Sequence, residues 1–123
     1  MNRGDGMGST IKFVIMDWGS IKKKIFSEIK NRNFKNEGRV LYVDSFEALC
    51  KHLTNDRIAL LSAVKSKKPS SLFDLAKELK RNLSAVKKDA LVLSNLGLLE
   101  FEKIGKLARP RIMADKIIIE LSI

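Results

Sequence analysis

The sequence predicts an α+β fold, in which a strand and a helix precede a unit of three helices and a two-stranded hairpin. Residues 70–97 carry apolar side chains at spacings of three and four, the period of two short amphipathic helices. Residues 98–113 contain two β-type runs around a glycine, a pattern typical of a hairpin. Residues 10–17 and 117–123 alternate in part between two faces, as strands do.

Residues 1–39 lie in front of the main unit. Residues 1–9 are rich in glycine and polar side chains, so we expect a disordered or tag-like segment there. Residues 10–39 predict a strand followed by an amphipathic helix that Asp17 caps. This helix and the apolar strands at both ends of the chain exceed what a small hairpin unit needs. We therefore expect residues 10–39 to act as a dimerisation element in a homodimer.

Residues 40–123 are predicted to form the main domain. Asp44 and Glu47 have the spacing of a capping box, which marks the start of a helix. Thr54 is placed to cap a second helix, and Pro69 ends it because proline cannot continue a helix. Together with the helices that follow, these segments predict a compact helical core.

The segment from residue 70 to residue 97 predicts a helix pair joined by a tight turn. Asn82 can cap the second helix, and Gly97 can end it because glycine tolerates the left-handed conformation. Two helices joined in this way form a helix-turn-helix, whose second helix lies in the major groove of DNA. We expect that recognition helix at about residues 82–96.

The predicted hairpin, residues 98–113, follows the third helix and is therefore expected to be a wing, which completes a winged helix-turn-helix. Four cations fall on it: Lys103, Lys106, Arg109 and Arg111. The final strand, residues 117–123, is expected to have one well-buried face. Its predicted partner is either the short strand Val40–Val43 or the N-terminal strand, since the sequence alone allows both.

The chain is strongly basic, with 24 Lys and Arg against 14 Asp and Glu and a net charge of +10. Such a balance favours an anionic partner, usually nucleic acid and less often a membrane surface, although a solvated basic face is the simpler explanation for any single lysine. Between Lys65 and Lys88 there are eight cations and two acids. Because this density falls on the predicted helix-turn-helix, duplex DNA is the favoured partner.

The same segments resemble the winged helix-turn-helix of MarR-like transcriptional regulators, and more closely an archaeal and bacterial family of winged-helix DNA-binding proteins. The resemblance is carried by Leu75-Ala76-Lys77-Glu78-Leu79, Val86-Lys87-Lys88-Asp89-Ala90, Leu93 to Glu100, Val43-Asp44-Ser45-Phe46-Glu47, Arg109-Pro110 and Asp115-Lys116-Ile117. It implies a three-helix core, a two-stranded wing, DNA binding and a dimer, with no catalysis and no metal.

Two positions depart from the pattern of that motif. Lys80 stands where the turn usually carries glycine, so either the turn is wider or Lys80 bears a small strain. Arg81 stands where an apolar residue is usual, and we expect its side chain to lie outside, near phosphates. Asp89 is interpreted as an ion-pair partner for a neighbouring lysine or for Arg81.

The predicted contacts to double-stranded DNA lie on the helix pair and the hairpin. They are Ser70, Ser71, Lys80, Arg81, Asn82, Ser84, Lys87, Lys88, Lys106, Arg109 and Arg111. Ser84, Lys87 and Lys88 are the candidates for reading base edges, and Leu83 for touching a thymine methyl group. The hairpin cations are expected to follow phosphates or to enter the minor groove.

Other function classes are disfavoured by what the sequence lacks. It has one cysteine and one histidine, and it contains no Gly-x-Ser-x-Gly motif, no glycine-rich phosphate loop and no paired carboxylates. We therefore expect no enzyme, no cofactor and no metal site, and a cytoplasmic protein without a membrane partner. Aromatic residues are few, and we expect none within the cationic cluster, which disfavours readers of RNA. The main alternative is a winged-helix module that binds a protein, for instance an antitoxin-like partner.

Overall fold

The structure, a computed structural model, describes residues 9–31 and 39–123. Within these residues it has a mixed α+β fold of five helices and five strands, as the sequence predicts. They are β1 (Thr10–Ile15), α1 (Trp18–Asn31), β2 (Arg39–Val43), α2 (Phe46–His52), α3 (Asn55–Lys67), α4 (Leu72–Leu79), α5 (Leu83–Asn95), β3 (Leu99–Ile104), β4 (Leu107–Ile112) and β5 (Lys116–Leu121). The disorder predicted for residues 1–9 falls outside the described residues, apart from Ser9.

The chain divides into two compact units. The sheet unit holds the described residues up to Lys51 together with Ala114–Ile123, and the helical unit is His52–Met113. This division differs from the predicted boundary at residues 39 and 40. The reason is strand pairing, because β2 and β5 both join β1 in one sheet and so belong with the N-terminal segment.

The sheet unit is built on a parallel sheet with the strand order β2-β1-β5. Helix α1 connects β1 to β2, as a parallel pair requires, because parallel neighbours cannot be joined by a tight turn. Strand β1 is central, and its Phe13 lies between Leu41 of β2 and Ile119 of β5. Phe13 and Val14, on opposite faces of β1, are both buried. The last strand therefore pairs with the N-terminal strand, one of the two predicted partners.

Strand β5 corrects one expectation. The face predicted to be well buried carries Ile119 and Leu121, which are 46% and 60% exposed. Strand β5 is at the end of the strand order β2-β1-β5. Among the described strands, its only neighbour is therefore β1. An edge strand receives less cover than a central one, and its alternating pattern alone does not distinguish the two positions.

The helical unit has a well-packed core. Helices α3, α4 and α5 contact one another in every pairing, and α3 and α5 contact β4 and β3 of the hairpin. The predicted apolar faces of the helix pair turn inward. Their buried residues are Leu75, Ala76, Val86, Ala90 and Leu93, and their half-buried residues are Leu72, Leu79 and Leu96. The hairpin β3–β4 is antiparallel and turns at Gly105 and Lys106, where Gly105 has a φ of 61°. Glycine adopts this left-handed conformation without steric cost.

Most of the predicted helix caps form. Asp17 accepts hydrogen bonds from the backbone N–H and the hydroxyl of Ser20, which lowers the pKa of its carboxyl group. Thr54 accepts from the N–H of Arg57 at 3.2 Å. The predicted capping box at Asp44 and Glu47 is wrong by one residue, because Ser45 Oγ accepts from the N–H of Ala48 at 3.0 Å and α2 begins at Phe46.

No helix in the described parts of the chain combines the length and the apolar character needed to cross a bilayer.

Candidate nucleic-acid interface

The two helices of the pair are joined by a turn that holds Lys80 in a left-handed conformation, with a φ of 55°. The N–H of Lys80 donates to the carbonyl of Lys77 at 3.2 Å, and the N–H of Arg81 donates to that of Ala76 at 3.0 Å. These are the two bonds of a Schellman motif, which usually has glycine at the left-handed position. Of the two predicted possibilities, the structure therefore has a tight turn with a strained Lys80.

Helix α5 begins and ends at the predicted residues. Asn82 caps it by accepting from the N–H of Ser84 at 2.8 Å, and Gly97 follows its end with a φ of 81°. The N–H of Leu98 then donates to the carbonyl of Leu93 at 2.9 Å, which is the longer bond of a second Schellman motif. Both ends of the helix are thus fixed by local hydrogen bonds.

Arg81 corrects a second expectation. Its side chain lies inward and is 24% exposed, and its Nη2 is 2.7 Å from Asp89 Oδ2. Its Nη1 is buried without a hydrogen-bond partner among the residues that the structure describes. Their hydrogen bond is charge-assisted, and their attraction is screened less in this partly buried place than in bulk water.

Asp89 lies between two arginines. Besides Arg81, it accepts a hydrogen bond from Arg57 Nε of α3 at 3.0 Å, while Arg57 Nη1 donates to the carbonyl of His52 at 2.9 Å. Burial disfavours the charged form of Asp89, but the hydrogen bonds from Arg81 and Arg57 outweigh it and hold the pKa of its carboxyl group below the ordinary value. The predicted pairing with Arg81 is confirmed. The bridge to Arg57 was missed, although position 89 lies on the buried face, three residues after Val86.

The helical period that places Asp89 on the buried face of α5 also determines which residues form its outward face. The residues opposite its buried face are all exposed: Ser84, Lys87, Lys88, Leu91 and Asn95. Asp89 is the only acidic residue in α5, and it points inward to the two arginines. The solvent-facing side of this helix is therefore cationic, with one apolar side chain, Leu91, that the sequence prediction did not include.

Three of the predicted contact residues use their polar groups at helix starts. Ser71 is buried, and its hydroxyl caps α4 by accepting from the N–H of Asp74 at 3.1 Å. The hydroxyl of the exposed Ser70 donates to the carboxylate of Asp74. The hydroxyl of Ser84 donates to Asn82 Oδ1 at 2.6 Å, which leaves its acceptor capacity and the Asn82 amide nitrogen at the surface.

The hairpin arginines are paired across the two strands. Arg109 Nη2 is 2.5 Å from Glu102 Oε1, and Arg111 Nη1 is 3.4 Å from Glu100 Oε2. Each pair is directly opposite in the strand register. The two predicted hairpin contacts thus have acidic neighbours, whereas Lys106 at the turn is exposed.

One aromatic residue lies within the cationic cluster, against the expectation that there is none. Phe73 of α4 is 59% exposed, and the Lys77 ammonium lies 5.6 Å from the centre of its ring. A cation at this distance is attracted by the ring face. The helical period of α4 already indicated this outward position, because Phe73 is off the stripe that Leu75 and Leu79 define.

Comparison with protein families matches residues 52–119 to the family HVO_A0114. Comparison with curated proteins gives no match. The matched segment covers the whole helical unit, from the end of α2 through the hairpin, and continues into β5. Since it makes up more than half of the chain, the protein belongs to the HVO_A0114 family.

Proposed function

We propose that the helical unit is a winged helix-turn-helix of MarR-like type that binds double-stranded DNA, and that the protein is a transcriptional regulator. In this proposal α5 enters the major groove and the β3–β4 hairpin lies on the backbone or in the minor groove. The observation that carries the proposal is the outward face of α5, which presents Ser84, Lys87 and Lys88 while its only acid is turned inward.

The electrostatic argument rests on how Asp89 is used. An outward carboxylate beside Lys87 and Lys88 would repel phosphates and compete with them for the lysines. Its pairing with Arg57 and Arg81 removes that repulsion and at the same time ties α3 to α5. The lysines stay exposed, so binding to DNA would release condensed counterions and favour association.

The contacts can be divided into two roles. Ser84, Lys87 and Lys88 are proposed to reach base edges, and Leu91, which is more exposed than Leu83, is the better candidate to touch a thymine methyl group. Lys80 and Lys106 are proposed to contact phosphates, which position the protein without reading sequence. Arg81 is proposed to support the turn rather than to contact DNA directly, because its guanidinium is held by Asp89.

The test is a titration of a short labelled duplex at several salt concentrations, followed by fluorescence anisotropy. The parent protein should bind with an affinity that falls steeply as salt rises. The double variant Lys87→Glu and Lys88→Glu should bind far more weakly, because two cations that face the duplex become anions that its phosphates repel. The matched control is Lys22→Glu with Lys23→Glu, which changes the net charge equally on the exposed side of α1.

Two results would contradict the proposal. One is the absence of duplex binding by the parent at low salt, and the other is an equal loss of affinity in the α5 variant and the α1 control. Selection of bound sequences from a random duplex library then tests the regulatory part. A regulator should enrich a common sequence, whereas a non-specific binder should enrich none.

A second candidate function is a module that binds another protein, such as an antitoxin-like partner. It is favoured by the exposure of Phe73 and Leu91, two large apolar side chains on neighbouring helices of the same unit. The same titration distinguishes the two functions, since the non-specific duplex binding of a basic protein-binding module should fall equally in the α5 variant and in the α1 control. A structured RNA in a parallel titration separates a reader of RNA, for which Phe73 could stack on a base.

A further inference from the structure

The sheet unit has an apolar edge. Strand β5 is hydrogen-bonded to β1 on one side, and no other strand within the described residues adjoins it. Its sequence is Lys-Ile-Ile-Ile-Glu-Leu, and Ile118, Ile119 and Leu121 are all exposed. A long apolar edge strand presents a row of backbone N–H and C=O groups that can pair with another strand, and proteins rarely leave such an edge uncovered.

We propose that β5 pairs with β5 of a second copy of this chain, antiparallel about a two-fold axis, so that the two sheets join into one. The strand order of the joined sheet is then β2-β1-β5-β5-β1-β2. This inference concerns the sheet unit alone, and it stands or falls independently of DNA binding by the helical unit.

The sequence of β5 is complementary to itself in one register. With Ile118 on the two-fold axis, Lys116 of each copy lies opposite Glu120 of the other, and Ile117 lies opposite Ile119. Opposite charges directly across an antiparallel pair attract, and aliphatic pairs pack together. A shift by one residue would place Lys116 opposite Leu121 and Glu120 opposite Ile117, which loses both charge pairs. The register is therefore specified by the strand itself.

The charge around Glu120 fits this arrangement. Glu120 Oε1 is already 3.2 Å from Lys12 Nζ on β1, and about half of the Glu120 side chain is exposed. A carboxylate can accept from two cations, one at each oxygen. In the proposed pair, Glu120 lies between Lys12 of its own copy and Lys116 of the other.

The overall charge of the chain favours this edge over the basic surfaces of the chain as a contact between copies. Two molecules of net charge +10 repel each other, so a contact between copies is most favourable where the surface is neutral or balanced. Strand β5 holds one cation and one anion and is otherwise aliphatic. A basic surface such as the outward face of α5 would bring like charges together.

The first test is the mass of the full chain in solution, measured by sedimentation at micromolar concentrations. The parent should sediment as a dimer. Ile118→Lys should sediment as a monomer, because residue 118 faces itself on the axis and the substitution places two ammonium groups together. Ile104→Lys is the matched control, since Ile104 is an exposed residue of the hairpin, and this variant should stay dimeric. Circular dichroism checks that both variants are folded.

The second test uses the charge pairs. Lys116→Glu alone places two glutamates opposite each other, and Glu120→Lys alone places two lysines opposite each other, so each variant should dimerise at least tenfold more weakly than the parent. A mixture of the two variants restores an opposite-charge pair at both ends of the joined strands and should form the mixed dimer. A dimer that ignores all of these substitutions would overturn the proposal in favour of another surface.

A cross-link supplies the third readout. In a chain that carries Cys50→Ser, Ile118→Cys should form a disulfide-linked dimer on mild oxidation, because the two Cβ atoms of an opposed antiparallel pair are within bridging reach. Ile104→Cys in the same background should not. Pairing at β5 would be refuted by a monomeric parent or by equal cross-linking in both variants. A parent whose β5 edge is covered by a different peptide would give the same refutation.

Discussion

In the helical unit Leu60, Val86 and Leu93 are completely buried, whereas in the sheet unit Trp18, Phe26 and Leu121 are each more than half exposed. The helical unit thus covers most of its apolar side chains with three helices and a hairpin, although Phe73 and Leu91 stay exposed. The sheet unit buries its central strand but leaves large apolar groups on α1 and at its edge. The difference indicates that folding of the helical unit is driven by packing within the unit, and that the sheet unit retains surface suited to a partner.

The largest expected effect tests whether the two units differ in how far their apolar side chains contribute to stability. Leu93→Ala should lower the free energy of unfolding by about 2–5 kcal/mol, because it removes a fully buried side chain and leaves a cavity. Phe26→Ala in the sheet unit should change it by no more than about 0.5 kcal/mol, since the ring is mostly in water already. Chemical denaturation of both variants measures the two values. Equal losses would show that the two units do not differ in how they are stabilised.

An intermediate effect sharpens the electrostatic side of the comparison. Asp89→Asn should cost about 2–3 kcal/mol at neutral pH, below the range for fully buried pairs because both arginines are partly exposed. The exposed pair of the sheet unit, Lys12 with Glu120, should contribute at most about 1 kcal/mol when Lys12→Met removes it.

The pH dependence follows from the same carboxylate. Because the pKa of Asp89 is lower in the folded state than in the unfolded chain, its contribution is present above the unfolded pKa of about 3.9 and is lost as pH falls through the folded pKa. The parent should therefore lose stability in acid more steeply than Asp89→Asn does. Parallel acid-dependence curves for the two proteins would contradict the role of the Arg57–Asp89–Arg81 cluster.

The smallest effect concerns the turn within the helix pair. Lys80→Gly should raise the free energy of unfolding by at most about 1 kcal/mol, because glycine relieves the left-handed strain but adds freedom to the unfolded chain. The control is Lys77→Gly in the last turn of α4, where the backbone is right-handed; this change should lower the free energy of unfolding by about 1 kcal/mol. Thermal unfolding of the pair gives shifts of opposite sign if the backbone conformation decides the outcome.

Most of the local structure could be predicted from the sequence. The period of Val86, Ala90 and Leu93 set the buried face of α5, and Asn82 and Gly97 marked its ends. These features depend on residues a few positions apart, so a single sequence contains them. The sequence did not determine which of two strands pairs with β5. Both candidate strands have similar apolar patterns, and the pairing joins residues far apart in the chain.

The candidate site was predicted in part for the same reason. The exposure of Ser84, Lys87 and Lys88 follows from helical phase, which the sequence sets. The inward turn of Arg81 depends on Arg57 as well as Asp89, two residues 32 positions apart on different helices, and on their packing. Predicting the ion pairs of the hairpin arginines requires the register of β3 and β4. The position of Gly105 alone does not specify that register.

The parallel pairing of β1 with β5 has a consequence for the order of events in folding. Lys12 and Glu120 are 108 positions apart, and their side chains form a hydrogen bond between adjacent strands. All contacts within residues 52–113 join segments closer in sequence, so that region can form as soon as it is synthesised. Strand β1, by contrast, cannot pair with β5 until residues 116–121 have been synthesised. Bringing β1 and β5 together closes a long loop and costs chain entropy. This cost is smaller once the contacts within the intervening region have formed. We therefore expect the helical region to form first, and the first strand of the chain to complete its structure last.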